Sequence, residues 1–175
     1  MEETMQVPQD TTFRQTLARF TTGVCVVATQ DNETKAYLGM TINAFSSVSL
    51  DPPLILFCLK KSAKRTPAFE GASSFSISVL AKSQEDLSRH FARDAAIDWS
   101  AFGDTPLETH APFLKGAIAH IACEPHAVHA AGDHLIFVAR VTHVHFDDTS
   151  APLVYFGSQY AHLDNLPLAS SRKAS

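Results

Sequence analysis

The chain reads as an all-β fold, antiparallel and barrel-like, with accessory helices. Three observations predict this. About seven segments carry the β-branched, aromatic or alternating chemistry of strands. Most connections between them are too short to hold a helical crossover, which leaves antiparallel pairing. Several of the strands are so apolar that an open sheet would present adhesive edges, and closing the sheet removes them.

Composition bounds the problem further. The 175 residues are 45% hydrophobic and 18% charged, enough to bury one core and too apolar for disorder along the whole length. A net charge of −4 argues against a broadly basic nucleic-acid binder. The longest apolar runs, such as Leu54–Leu59, are far too short to cross a bilayer. The start, MEETMQVPQD, is acidic and lacks the apolar stretch of a secretory leader. Cys25, Cys58 and Cys123 are odd in number without C-x-x-C spacing, as expected of reduced thiols in a cytoplasmic protein. The glycines are scattered at 23, 39, 71, 103, 116, 132 and 157, so neither G-x-G-x-x-G nor a P-loop is present, and any nucleotide must be held by other means.

In chain order, residues 1–10 read as a mobile lead, 11–162 as the folded domain and 163–175 as a flexible tail. Asp10, Thr11 and Thr12 are N-cap candidates for a helix whose Phe13, Leu17 and Phe20 share one face, ended by Thr21-Thr22-Gly23. Gly23–Thr29 and Tyr37–Asn43 read as a hairpin turned by Asp31 and Asn32. Asp51-Pro52-Pro53 interrupts the chain before Leu54–Leu59, a continuous apolar run expected to be buried on both faces. Ser74–Leu80 alternates, with Phe75, Ile77 and Val79 on one side and serines on the other. Ser83-Gln84-Glu85-Asp86 resembles a capping box opening a short helix through Leu87 and Phe91. Residues 93–112 read as irregular. Two long strands, Ala117–His129 and His134–Phe146, and a last one, Leu153–Phe156, complete the set.

Three segments carry candidate chemistry. Met40–Ser49 runs from a strand end into a loop rich in hydroxyls with one amide. Its four hydroxyls and the amide suit the edge of a flat heteroaromatic ring, or simply cap a strand. From Cys58 to Thr66, four basic residues (Lys60, Lys61, Lys64, Arg65) stand within six positions beside Ser62 and Thr66. They form either an anion site or a solvated charged turn. Gly132-Asp133-His134 bends between the two long strands; Asp beside His invites a catalytic reading, but Gly-Asp is first of all a turn, and no G-x-S-x-G elbow supplies a nucleophile. A metal site from Cys123, His126, His129, His134 or His143-x-His145 is disfavoured, because residues three apart on a strand do not face the same way.

In combination the segments resemble the short-chain flavin reductase family, the reductase components of two-component flavin-dependent monooxygenases. The resemblance runs from about Phe13 to Tyr160. It rests on Phe20-Thr21-Thr22-Gly23-Val24 followed by Val26-Val27, on Gly39-Met40-Thr41-Ile42-Asn43-Ala44-Phe45-Ser46-Ser47-Val48-Ser49, and on Leu50-Asp51-Pro52-Pro53-Leu54 with Cys58. It continues through Gln84, Leu87-Ser88, Phe91-Ala92, Gly132-Asp133-His134 and Tyr155-Phe156-Gly157-Ser158-Gln159-Tyr160.

The resemblance implies an FMN-binding split barrel, usually a homodimer. NADH, or less often NADPH, would reduce FMN or FAD, and the reduced flavin would leave for a separate monooxygenase. It further implies that Thr41, Asn43, Ala44, Ser46 and Ser47 line the isoalloxazine and ribityl chain, and that Cys58, Lys60, Ser62 and Lys64 meet the phosphate end. Ser88 and Phe91 would border the flavin, Tyr155 and Tyr160 would close the pocket, and Gly132, Asp133 and His134 would seat the nicotinamide. No catalytic side chain and no metal is expected, since hydride passes between the two rings. The alternative is a flavin-binding carrier or storage module of the same barrel without nicotinamide turnover.

Overall fold

Asp31 shows how locally the first hairpin is written. Its carboxylate accepts hydrogen bonds from the backbone N–H of Glu33 and Thr34 and from the Thr34 hydroxyl, tying the turn and holding its own pKa below the usual value. In the computed structural model, which describes residues 9–93, 98–104 and 110–163, this turn joins β2 (Cys25–Gln30) to β3 (Tyr37–Ile42) in antiparallel register. Most of the lead, part of the stretch 93–112 and the tail from residue 164 lie outside the described residues.

The remaining elements are α1 (Asp10–Leu17), β1 (Thr22–Gly23), β4 (Phe45–Leu50), β5 (Pro53–Lys60), α2 (Thr66–Glu70), β6 (Phe75–Val79), α3 (Glu85–Phe91), α4 (Trp99–Phe102), β7 (Gly103–Asp104), β8 (Phe113–Leu114), β9 (Ala119–Ala131), β10 (His134–Phe146), β11 (Val154–Phe156) and β12 (Gln159–Ala161). Seven strands form one antiparallel sheet in the order β3-β2-β6-β9-β10-β5-β4. Its edges, β3 and β4, are consecutive in the chain and joined by Asn43-Ala44 alone. No pairing between them closes the sheet among the described residues, so it is an open sheet along that seam.

Its inner face holds an aromatic core. Phe57 stacks on Phe137 at 5.0 Å between centroids and meets Phe75 edge-on at 5.2 Å, with Phe69 beyond. A second cluster lies outside β2, where Val24, Val26 and Ala28 pack against Leu80, Phe91, Trp99, Leu114 and Leu153. β2 is thus buried on both faces. β5, expected in that role, alternates instead: Ile55, Phe57 and Leu59 are buried, while Leu54, Leu56 and Cys58 are only partly covered on the outer side.

Three other expectations are corrected, and the serine face of β6 finds its cover. Met40–Ser49 does not end in a long loop, because Phe45–Leu50 pairs with β5 as an edge strand. The serine side of β6 is buried: Ser76 donates to the Pro112 carbonyl and the Ser78 hydroxyl accepts from the Leu114 N–H, so the 112–114 segment satisfies both. Ser83 caps nothing; the Gln84 side chain accepts from the Ala81 N–H at 2.9 Å and donates to the Lys115 carbonyl at 2.8 Å. α1 ends at Leu17 without a side-chain cap, and Phe13, Leu17 and Phe20 remain exposed.

The long β9–β10 ribbon carries two register shifts, between Val138 and Ala139 opposite Pro125 and between Val141 and His143. Pro125 lacks an N–H for the ladder, so a bulge there is its natural place. No group of three His, Cys, Asp or Glu that could hold a metal occurs among the described residues. His120 illustrates what these histidines do instead. Its Nε2 lies 3.0 Å from the Leu114 carbonyl, and its ring tilts onto Phe113 at 4.8 Å. Burial above all pushes its pKa below the ordinary value.

This predicts a pH dependence of stability. The unfolded chain takes up the His120 proton more readily than the folded one, so stability rises with pH and levels off above about 6.5, the unfolded value. Urea midpoints at pH 5 and pH 7.5 measure it, and His120→Gln, which keeps a donor for Leu114, will shrink the difference between them.

Candidate functional site

The site forms where α3 ends against β3 and the β11–β12 hairpin. α3 is clamped from both sides. Thr41 on β3 donates its hydroxyl to the Ser88 carbonyl at 2.7 Å, and the fully buried Ser88 hydroxyl shares a hydrogen bond of 2.8 Å with the Tyr160 hydroxyl. Phe91, also buried, anchors the helix in the second core against Trp99 at 5.0 Å. Gly39 makes this approach possible: a Cβ there would lie 2.8 Å from Phe91 and Trp99 ring atoms.

Three clefts share Ala92 at the end of this helix. The first, about 200 Å³, is walled by Val24, Thr41, Ile42, Asn43, Ala92, Tyr155 and Tyr160. The second, about 280 Å³, lies between Met40 and Phe91 on one side and Ser62, Ala63, Lys64 and Arg65 on the other, with Arg93 at its margin. The third, about 520 Å³, opens beside Arg89, Arg93, Tyr155 and Tyr160.

Thr41, Asn43, Ser62, Lys64, Phe91, Tyr155 and Tyr160 therefore line one continuous region, brought together from five separate parts of the chain. Thr41 is not a freely turning donor, since its hydroxyl hydrogen is committed to α3. Ser88 stands behind the wall and holds Tyr160, and Phe91 offers only a margin of a core ring. Ala44, Ser46, Ser47, Cys58 and Lys60 line none of the three clefts. Ala44 accepts from the Cys58 N–H at 3.1 Å at the seam, and Ser46 and Ser47 are exposed on β4. Burial raises the Cys58 thiol pKa and lifts those of Cys25 and Cys123 to about 12, so all three thiols are poor nucleophiles.

Gly132, Asp133 and His134 lie apart from these clefts and against the basic turn. His134 is opposite Lys60 in the ladder, and Lys61 donates its backbone N–H to the Asp133 carbonyl at 2.9 Å and its Nζ to the Gly132 carbonyl at 2.7 Å. Lys61 is thus spent on the hairpin, while Ser62, Lys64 and Arg65 line the second cleft. Asp133 accepts from His134 Nδ1 at 2.7 Å, and that hydrogen bond, foremost, lowers the carboxylate pKa.

Sequence reasoning missed α4, whose Trp99 Nε1 donates to the Tyr37 carbonyl at 2.9 Å, and β12, which carries Tyr160. It also missed Arg89 and Arg93. The signals present were the Asp98-x-Ser100 cap of α4, where Asp98 accepts from the Ser100 N–H, and the positive-φ pair Gly157-Ser158 between β11 and β12.

Residues 17–164 match the model of the flavin reductase like domain. The chain belongs to this family. It is 40% identical over 154 residues to the reductase component of 4-hydroxyphenylacetate 3-monooxygenase from Thermus thermophilus, covering 86% of this chain and 95% of that one. It is 41% identical over 151 residues to the FMN reductase (NADH) SmoA of Agrobacterium fabrum, covering 85% of this chain and 83% of the relative. Among solved structures it is similar to the NADH:FAD oxidoreductase SgcE6 of Streptomyces globisporus C-1027, with a TM-score of 0.85 at 32% identity over 93% of this chain and 98% of the other.

The cleft residues fit a flavin on their own chemistry. A flat ring system with an apolar face and a polar edge needs apolar walls beside a few polar groups, and Val24, Ile42 and Ala92 line the cleft together with the Asn43 amide, the two tyrosines and Thr41, whose hydroxyl keeps only acceptor capacity. An anionic ribityl phosphate needs cations and a hydroxyl, which Lys64, Arg65 and Ser62 supply in the adjoining cleft.

Proposed function

We propose that this flavin reductase takes hydride from NADH, or from NADPH in its place, to FMN or FAD and releases the reduced flavin to a separate monooxygenase. The observation that carries the reading is the junction at Ala92 of an apolar-and-amide cleft with a cationic one, the two halves a flavin mononucleotide requires. The flavin, when bound, supplies the hydride-accepting ring. The protein supplies placement. Thr41 and Asn43 would face the ring, Tyr155 and Tyr160 would close over it, and Ser62, Lys64 and Arg65 would hold the phosphate, with Cys58 and Lys60 leading into that turn along β5. Ser88 keeps Tyr160 in position, and Phe91 keeps α3 against β3. Asn43 makes no side-chain hydrogen bond to another described residue, so its donors stay available to a ring edge that gains negative charge. His134, oriented by Asp133 at the Gly132 turn, seats the nicotinamide. No side chain is needed as a nucleophile, since the redox chemistry would belong to the bound flavin and nicotinamide.

The reading extends to the assembly. The sheet is a split barrel whose seam is Asn43-Ala44, and residues 11–162 form the reductase domain. Two copies associate through the outer face of β5 and β10, where Leu54, Leu56 and Cys58 alternate with Ile136 and Val138 on neighbouring strands and are only partly covered in the single chain. In such a dimer Ala44, Ser46 and Ser47 on the exposed edge and His134 on its turn approach the flavin from the subunit boundary. The three free thiols suit a cytoplasmic protein.

Adding NADH anaerobically to purified protein with FMN or FAD tests the activity. Bleaching of the flavin absorbance is expected at about 1–1,000 turnovers per second. No bleaching with either flavin and either nicotinamide nucleotide overturns the proposal.

A further inference from the structure

Met40 is the one methionine among the described residues, and it stands where the first core meets the cationic cleft. It packs against the cluster around Phe57 and Phe137, is only partly covered, and walls the second cleft across from Ser62, Lys64 and Arg65. The basic turn is fastened close beside it, since Arg65 Nη1 donates at 2.9 Å to the carbonyl of Gly39, the residue before Met40. Chemistry at such a site makes an oxidant. Reduced flavin that meets dioxygen before it meets an oxygenase gives up two electrons and two protons, which leaves oxidised flavin and one hydrogen peroxide. The cysteines are poor targets for that peroxide, because it attacks thiolates. Burial lifts the thiol pKa of Cys25 and Cys123 to about 12 and raises that of Cys58 as well. A thioether needs no deprotonation. Its sulfur gives two electrons to the peroxide, the O–O bond breaks, one oxygen stays on sulfur as the sulfoxide and the other leaves as water.

We propose that Met40 is a methionine-oxidation site whose sulfoxide competes with the flavin phosphate for the cations of the second cleft. The proposal rests on the flavin reductase reading and adds a regulation of the same site. The new oxygen only accepts hydrogen bonds. The groups across the cleft are donors: Lys64 and Arg65 have no acceptor, and the Ser62 hydroxyl can donate. These are the groups assigned to the phosphate. The ring cleft, walled by Val24, Ile42 and Asn43, is unaltered in composition. A reductase whose reduced flavin goes unused thereby loses its hold on FMN, and methionine sulfoxide reductases restore the thioether.

The test compares full-length protein after aerobic turnover with NADH and FMN, no oxygenase being present, with protein turned over beside catalase. Mass spectrometry of tryptic peptides reads the modification, and cleavage at Arg14, Arg19 and Lys35 separates Met40 from Met1 and Met5. One added oxygen on the Met40 peptide is expected without catalase and none with it. The oxidised protein is expected to bind FMN about tenfold more weakly, the loss of one charge-assisted contact, and to bind riboflavin, which has no phosphate, as before. Methionine sulfoxide reductase with a thiol reductant is expected to remove the oxygen and restore the FMN Kd. Met40→Leu, a swap of similar volume, is expected to keep its own untreated Kd through turnover. The repair step uses the unaltered chain, so the result does not depend on that variant folding. An unmodified Met40 after turnover, an oxidised Met40 with unchanged FMN Kd, or an equal loss of FMN and riboflavin overturns the proposal and leaves the reductase reading intact. Untreated protein that binds no flavin removes both.

Discussion

Replacing Gly39 with alanine is expected to destabilise the protein by about 1–3 kcal/mol, the usual range for overpacking a core. The position allows no easy relief. The added Cβ would meet Cδ1 and Cε1 of Phe91 and Cζ2 of Trp99, each at 2.8 Å, and both rings are buried. Neither is the free end of a flexible chain: Phe91 is fixed by α3, and Trp99 by its hydrogen bond to Tyr37. The cost will not stay in the core. The Gly39 carbonyl accepts from Arg65 Nη1 at 2.9 Å, and α3 carries Ala92, the wall common to all three clefts. Flavin Kd is therefore expected to rise along with the loss of stability. Urea unfolding and fluorescence titration with FMN measure both. Unchanged stability together with unchanged Kd would show that the rings move aside freely, and the clamp on α3 described above would then be wrong.

Much of this clamp could not be read in the sequence, and the reason is the length of the contacts. The β2–β3 hairpin and the β9–β10 ribbon are legible because their turns are written within a few residues, by Asp31 in one and Gly132-Asp133 in the other. The Ser88–Tyr160 bond spans 72 residues and joins a helix to a strand with no apolar periodicity of its own. The partners of Ser76 and Ser78 are likewise distant in the chain. Alternation with apolar neighbours marks a two-faced strand, but only the fold reveals that the second face is covered by Pro112 and Leu114. The apolar run of β5 reads as buried on both faces because composition alone does not show which of its residues the rest of the chain covers.

The chemistry was legible in pieces, as residue types without addresses. Thr41 and Asn43 reach the cleft because they lie at the end of β3, while Ser46 and Ser47, alike in chemistry, follow the seam onto β4 and face outward. Lys60, Lys61, Lys64 and Arg65 form one cluster in sequence and serve different ends in space: Lys61 is bonded to the hairpin turn, and Arg65 reaches across to the Gly39 carbonyl. Spacing along a chain does not distinguish a cation that faces a ligand from one that faces its own backbone.

His134→Ala is expected to lower kcat/KM for NADH by up to about 100-fold, the loss that follows when reacting groups are misplaced by an ångström or so. The imidazole is suited to the task. Asp133 holds Nδ1 at 2.7 Å, which leaves Nε2 directed away from that pair, and the side chain is 43% exposed on a tight turn. Asp133→Asn keeps a polar partner but removes the charge that orients the ring, so a smaller loss, about tenfold, is expected. The same turn accepts two hydrogen bonds from Lys61, next to the loop assigned to the phosphate, and this creates a second way for the substitution to act. Stopped-flow reduction and flavin titration separate the two. Slower reduction by NADH at unchanged flavin Kd places His134 with the nicotinamide. A raised flavin Kd with an unchanged rate of reduction at saturating flavin assigns the turn to the phosphate loop instead. In that case the imidazole acts by bracing Lys60 and Lys61 against the hairpin, and the nicotinamide is seated by other groups.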